Sequence, residues 1–167
     1  QTPPMGWTSF DSYGVYLHEQ AALANLEAMA EKLLPYGYEY FVIENGWFGE
    51  YTRQEGTIFP AEKHAQDIRI NEYGHFLPSK VYFPNGLESI AERCHDLGLK
   101  FGVHLMRGIP RKAYEMDLPI KGTRYTARDI VDTSPEENCK WCHYCYAVDM
   151  SKPGAQEWYD GLIEHIA

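Results

Sequence analysis

An amphipathic helical pattern that runs straight into a short apolar segment limits the fold of this chain more than any other feature. Over residues 20–34, Leu23, Leu26, Met29, Ala30, Leu33 and Leu34 recur at helical spacing, and Pro35 and Gly37 supply the stop. Residues 38–44 read YEYFVIE, and the continuous Phe41, Val42, Ile43 centre predicts a strand buried on both faces, as in a parallel sheet. The pattern then repeats. Asn85 is placed to cap a second helix with Glu88 three residues on; Leu87, Ile90, Ala91, Cys94 and Leu97 form its apolar face and Gly98 ends it. Residues 99–106 (LKFGVHLM) then predict a second buried strand. A third helix is expected to open at Ser151 or Lys152 with Pro153 near its first turn, burying Trp158, Leu162, Ile163 and Ile166. The sequence stops inside that pattern, so a truncated domain is expected.

Alternation of strands and helices requires parallel crossovers, which makes the class α/β and leaves doubly wound sheets and the (β/α)8 barrel as candidates. Neither strand is followed by a Gly-x-Gly-x-x-Gly turn or a P-loop, which favours the barrel. In a barrel the reactive groups sit at the C-terminal ends of strands, here residues 5–7, 44–47 and 104–107. The polar and aromatic stretch 45–84 is too long for a simple connector and is expected to carry function or a small subdomain.

Composition narrows the partners. The 167 residues include 13 Tyr, 7 Phe and 4 Trp, enough aromatic surface for a folded core. A formal net charge of -9 with no basic run disfavours nucleic acid. No segment approaches the roughly 20 apolar residues of a membrane-spanning helix, so no membrane partner is expected. Residues 1–7 lack the regions of a signal peptide and the chain has no Asn-x-Ser/Thr acceptor, which leaves the compartment open between bacterial cytoplasm and export.

Glu44 closes an apolar strand with Asn45 and Trp47 beside it, and a carboxylate and an amide next to an indole face suit a sugar: polar rim, aromatic platform. The competing reading of Glu44 is an ion pair with a neighbouring Arg. Trp7, after Met5 and Gly6, is either platform or core. His104 at a strand end suits a ligand hydroxyl, a metal, or a buried carbonyl. Arg107 offers a planar fork for a carboxylate, whereas Arg111 reads more simply as a solvated loop charge. Cys139, Cys142 and Cys145, with His143 between, allow a zinc site, a disulfide in an exported protein, or reduced thiols. The spacing does not choose among them, and neither a metal nor a cofactor is assigned.

Three stretches, TPPMGWTSFDSYG (2–14), GYEYFVIENGW (37–47) and INEYGHFLPSKVYFPNGLESIAERCHDLGLKFGVHLMRGIPR (70–111), together resemble the melibiase group, glycoside hydrolase family 27 and its relatives, which are α-galactosidases and α-N-acetylgalactosaminidases. HLMRGIPR (104–111) and VDMSKPGAQ (148–156) are similar to a bacterial branch of that group. The resemblance implies a (β/α)8 barrel, of which residues 1–167 would be the N-terminal portion, about three of the eight βα units, without a second domain. It also implies a retaining mechanism using two carboxyls about 5 to 5.5 Å apart. Both catalytic Asp residues would lie downstream, so no catalytic residue is assigned within this chain, and the fragment alone is expected to be inactive. By the same resemblance Trp7 packs against the sugar, and Glu44 and Asn45 stand where other members carry an Asp pair that binds sugar hydroxyls. His104 occupies a position usually held by Tyr, and Arg107 belongs to the bacterial pattern. The expected partners are a carbohydrate and the remainder of the same barrel; a non-catalytic carbohydrate-binding barrel is the alternative.

Overall fold

The computed structural model describes residues 3–51, 65–132, 134, 139 and 144–167. The chain divides into two compact units, Gln1–Asp67 with Pro78–Leu105, and Ile68–Leu77 with Met106–Ala167.

The first unit opens with β1 (Gly6–Thr8), the short α1 (Phe10–Tyr13), α2 (Glu19–Lys32) and β2 (Tyr40–Ile43). After β3 (Gly49–Tyr51) and β4 (Ala65–Ile68), which pair with each other, come α3 (Glu88–Asp96) and β5 (Lys100–Val103). Strands β1, β2 and β5 form one parallel sheet in that order, Trp7 beside Phe41 and Phe41 beside Phe101. The α/β expectation therefore holds, with parallel strands joined through α2 and α3. These helices pack on each other and on β2 and β5 and bury Ala22, Leu26, Met29, Ile90 and Cys94, each large side chain contributing about 1.5–3 kcal/mol.

Three local expectations fail in this unit. Phe41 and Ile43 are buried but Val42 between them is only half-buried, so β2 is not closed on both faces. Asn85 does not cap α3, because its amide and N–H both bind the Glu19 carboxylate; Leu87 takes the cap position without a side-chain bond. Glu88 consequently has no capping box to complete.

The second unit holds β6 (Ile109–Pro110), α4 (Arg111–Glu115), α5 (Ala127–Ile130), β7 (Val131–Asp132), β8 (Cys145–Val148) and α6 (Ala155–Ile166). Its sheet is antiparallel, β6-β8-β7, a feature the strand–helix alternation does not foretell. Helix α6 starts later than expected. Ser151 spends its N–H and hydroxyl on Asp149 Oδ1, at 2.9 and 2.6 Å, which holds that carboxyl below its ordinary range, and Gly154 becomes the cap. Trp158 and Leu162 are buried as anticipated, Ile166 is half-buried, and Ile163 is exposed.

His75 lies at the centre of this unit, against Trp158 and beside His165. Asn71 Oδ1 accepts the backbone N–H groups of Tyr73 and His75, so its amide NH2 faces His75 Nδ1 at 3.4 Å. That arrangement makes Nδ1 an acceptor and places the proton on Nε2, which is buried with no partner. Gly161 makes room for the ring, since a Cβ there would stand 3.1 Å from Cε1 and 3.2 Å from Nε2. Burial first, then the charges of His165 and Lys121, lower the His75 pKa to about 4, outweighing Glu72 and Glu164. No helix among the described residues is long and apolar enough to cross a membrane.

Candidate functional site

Past the C-terminal ends of β1, β2 and β5 side-chain hydrogen bonds join those of the backbone. Ser9, directly after β1, is buried, and its Oγ accepts the Glu44 N–H at 2.9 Å. His104, directly after β5, donates its N–H to the Ile43 carbonyl at 2.8 Å, and its own carbonyl accepts the Trp47 indole N–H at 2.9 Å. Both backbones that carry the polar side chains are thus held from a neighbouring strand. Pairing these groups matters because a buried N–H or carbonyl left unmatched costs about 1–3 kcal/mol.

The turn after β2 brings Trp47 back under the strand ends. Gly46 permits it: its φ is +106°, and a Cβ would stand 2.7 Å from Val15 Cα. Glu44 and His104 then face each other, with Nδ1 3.9 Å from Oε2. The Glu44 side chain is 21% exposed and the His104 side chain 39%, yet His104 Nδ1 is itself buried and has no hydrogen-bond partner. Asn45 is half-buried beside them. Trp7 is also half-buried, its ring stacked on Phe41 at 5.1 Å and edge-on to Tyr13 at 6.4 Å.

The first unit therefore assembles Trp7, Glu44, Asn45, Trp47 and His104 around one end of its parallel sheet. Glu44 faces His104 rather than an Arg. Trp47 departs from the sugar-platform expectation: it is 3% exposed, packs edge-on against Phe48 and uses its N–H on the His104 carbonyl, so its ring has no open face. Ser9 was not foreseen as part of the site. A small hydroxyl two residues beyond the Trp of a strand end is the only sequence signal for it, and serine is too common for that to stand out.

Arg107 belongs to the second unit, where it is exposed and its charge is felt by the Tyr159 phenol. Tyr159 accepts the Gly108 N–H at 3.1 Å, and burial pushes its pKa up. Gly108 has φ +95°, and a Cβ there would run into the Tyr146 carbonyl and approach Cys139 Sγ at 3.1 Å. Arg111 is not a solvated charge: its guanidinium lies 4.4 Å above the Tyr146 ring and its Nε donates to the Cys145 carbonyl. Cys139 and Cys145 are buried, whereas Cys142 and His143 lie outside the described residues, as does any site that needs them. Among the described residues no group of three His, Cys, Asp or Glu could hold a metal. Cys94 is buried in α3, which raises its thiol pKa to about 11.

No family model matches the chain. An α-galactosidase of Schizosaccharomyces pombe is 33% identical over 107 residues, 64% of this chain and 21% of that protein. An α-galactosidase of Cyamopsis tetragonoloba is 28% identical over 105 residues, 62% of this chain and 21% of that protein. Among solved structures, a family 27 β-L-arabinopyranosidase from Geobacillus stearothermophilus superposes with a TM-score of 0.85 at 39% identity, covering 98% of this chain and 37% of that one. A Bacillus halodurans protein assigned as an α-N-acetylgalactosaminidase gives 0.84 at 39% identity, with the same coverage of 98% and 37%. The chain thus spans about a fifth of the length of the curated relatives and somewhat over a third of the solved ones. In sequence the chain is similar to these α-galactosidases and in fold to these bacterial enzymes, and both likenesses support the melibiase group, glycoside hydrolase family 27 and its relatives.

Proposed function

We propose that residues 1–167 form the N-terminal part of the (β/α)8 catalytic barrel of a retaining glycosidase, about three βα units, and contribute one wall of its sugar pocket. The observation that carries this reading is the convergence of Trp7, Glu44, Asn45 and His104 at the C-terminal end of the β1-β2-β5 sheet, where barrel enzymes bind substrate. Glu44 accepts hydrogen bonds, Asn45 both donates and accepts, and Trp7 offers apolar surface, which together suit a pyranose ring with its hydroxyls. Arg107 is retained as a candidate pocket residue on the pattern of HLMRGIPR alone. Trp47 acts behind the pocket.

The substrates we propose are terminal α-galactosides or α-N-acetylgalactosaminides. The β-L-arabinopyranosidase likeness adds β-L-arabinopyranosides, whose ring has the configuration of galactose without its exocyclic CH2OH. In this reading one Asp outside residues 1–167 attacks the anomeric carbon and expels the aglycone, while a second carboxyl protonates the leaving oxygen and later deprotonates the water that releases the sugar. Neither group is assigned here, and the 1–167 fragment alone is expected to be inactive.

The test is hydrolysis of the p-nitrophenyl α-galactoside, α-N-acetylgalactosaminide and β-L-arabinopyranoside by the full-length protein, with the first-formed anomer followed by NMR. Release with retention on one of the three supports the reading. Inversion contradicts the mechanism. Binding of the free sugars without release from any of the three replaces the enzyme with a carbohydrate-binding barrel, an outcome to which the Glu44–Asn45 departure from the usual Asp pair lends weight.

A further inference from the structure

His104 Nδ1 is buried, has no hydrogen-bond partner, and stands 3.9 Å from a Glu44 carboxylate oxygen. That distance is too long for a hydrogen bond. The two protonation arrangements of the neutral ring are nevertheless unequal. With the proton on Nε2, Nδ1 presents a bare lone pair, buried, toward an anion, and no donor relieves it. With the proton on Nδ1, an N–H donor lies 3.9 Å from the carboxylate, and a rotation of the partly exposed Glu44 side chain closes a charge-assisted bond.

The backbones leave little other freedom. His104 is fixed on both sides, by the Ile43 carbonyl and by the Trp47 indole, and Glu44 is fixed by Ser9 Oγ. Any closure of the gap therefore falls to side-chain torsions. The ring's accessible edge is the one that carries Nε2, since the side chain is 39% exposed while Nδ1 is sheltered.

We infer that Glu44 and His104 work as one unit, in which the carboxylate accepts the Nδ1–H and so leaves the Nε2 lone pair to accept a hydrogen bond from a sugar hydroxyl. Trp47 is the positioning residue of that unit, acting through the His104 carbonyl. The ligand half of this inference rests on the sugar-pocket reading above; the proton arrangement does not. A tyrosine, which the resemblance places at this position in other members, offers a hydroxyl that both donates and accepts. An imidazole locked in this way only accepts, so position 104 selects a hydroxyl that donates.

The experiment is two-bond 1H–15N correlation NMR on full-length protein labelled with 15N at histidine, before and after addition of D-galactose or L-arabinose. His104 is expected to show the Nδ1–H pattern by at least about tenfold over the alternative, the bias of a charge-assisted bond. His75 supplies an internal reference of opposite sense, Nε2–H, set by Asn71. Glu44→Ala removes the bias, and Trp47→Phe, which keeps a ring but loses the indole N–H, reduces it. A Trp47→Phe protein with a lowered melting point and an unchanged His104 pattern removes Trp47 from the unit.

A wild-type His104 in the Nε2–H form overturns the inference without any variant needing to fold. If His104 is Nδ1–H and sugar moves its Nε2 resonance, the whole inference stands. If calorimetry shows sugar binding and that resonance stays put, the acceptor role is overturned. If no sugar binds, the pocket reading falls while the Glu44–His104 pairing survives.

Discussion

His104 and His75 solve the same problem, an imidazole brought against protein, in opposite ways. His104 sits at the end of a parallel strand with its buried nitrogen aimed at a carboxylate and its other edge open. His75 sits in the second unit with Nδ1 turned to an amide donor, Nε2 buried without an acceptor, and His165 and Lys121 nearby. Protonation of His75 puts a proton on the nitrogen that faces the Asn71 amide, and burial first, then His165 and Lys121, oppose it more than Glu72 and Glu164 favour it. The strand-end pair leaves one ring edge open, whereas the polar centre of the second unit is a packing solution that tolerates one form of the ring.

The largest effect that would break this contrast concerns the packing around His75. Trp158 is fully buried, packs on His75 and donates its indole N–H to the Tyr73 carbonyl. Trp158→Ala is expected to cost about 3–5 kcal/mol in urea melts; a loss of less than about 1 kcal/mol would show that the centre of the second unit does not depend on it.

Acid comes next. The folded pKa of His75, about 4, lies below the 6.5 of the unfolded ring, so the unfolded chain binds the proton more readily between those values. The stability held above pH 6.5 is lost as the pH falls toward 4, about 3 kcal/mol in all through this one group. His75→Gln should shrink the difference between melts at pH 7 and pH 4 by most of that amount. An unchanged difference would mean that other groups carry the acid sensitivity.

At the strand ends the expected cost is smaller and more local. Ser9→Ala strands the Glu44 N–H and should lower stability by about 1–3 kcal/mol, with slowed hydrogen exchange at Glu44 lost in the same variant. Smallest of all, Lys100→Met removes an exposed ion pair with Glu39, and the melting midpoint is expected to stay where it was.

What the sequence makes legible follows the same divide. Helices α2 and α3 and strands β2 and β5 carry enough periodic apolar residues for their type, and hence the α/β class, to be read directly. Their ends are less legible because caps are decided by distant competitors: Asn85 is claimed by Glu19, sixty-six residues away, and Ser151 by Asp149. The antiparallel sheet of the second unit is invisible to periodicity, since β6 and β7 are two residues each and pair only through β8. Within the site, strand-end position singles out Glu44, Asn45 and His104. It cannot tell that Trp47 turns inward, because that depends on Gly46 folding the turn back on Val15. Trp7 is part packing and part open surface, half-buried with its ring stacked on Phe41 and edge-on to Tyr13.

The most direct test of the central claim is a crystal structure of the full-length protein with D-galactose or L-arabinose bound. The account predicts the sugar at the C-terminal end of the β1-β2-β5 sheet, its hydroxyls within hydrogen-bond distance of Glu44, Asn45 and His104 Nε2 and its apolar face toward Trp7. A sugar bound elsewhere, with the Glu44–His104 group untouched, would contradict it.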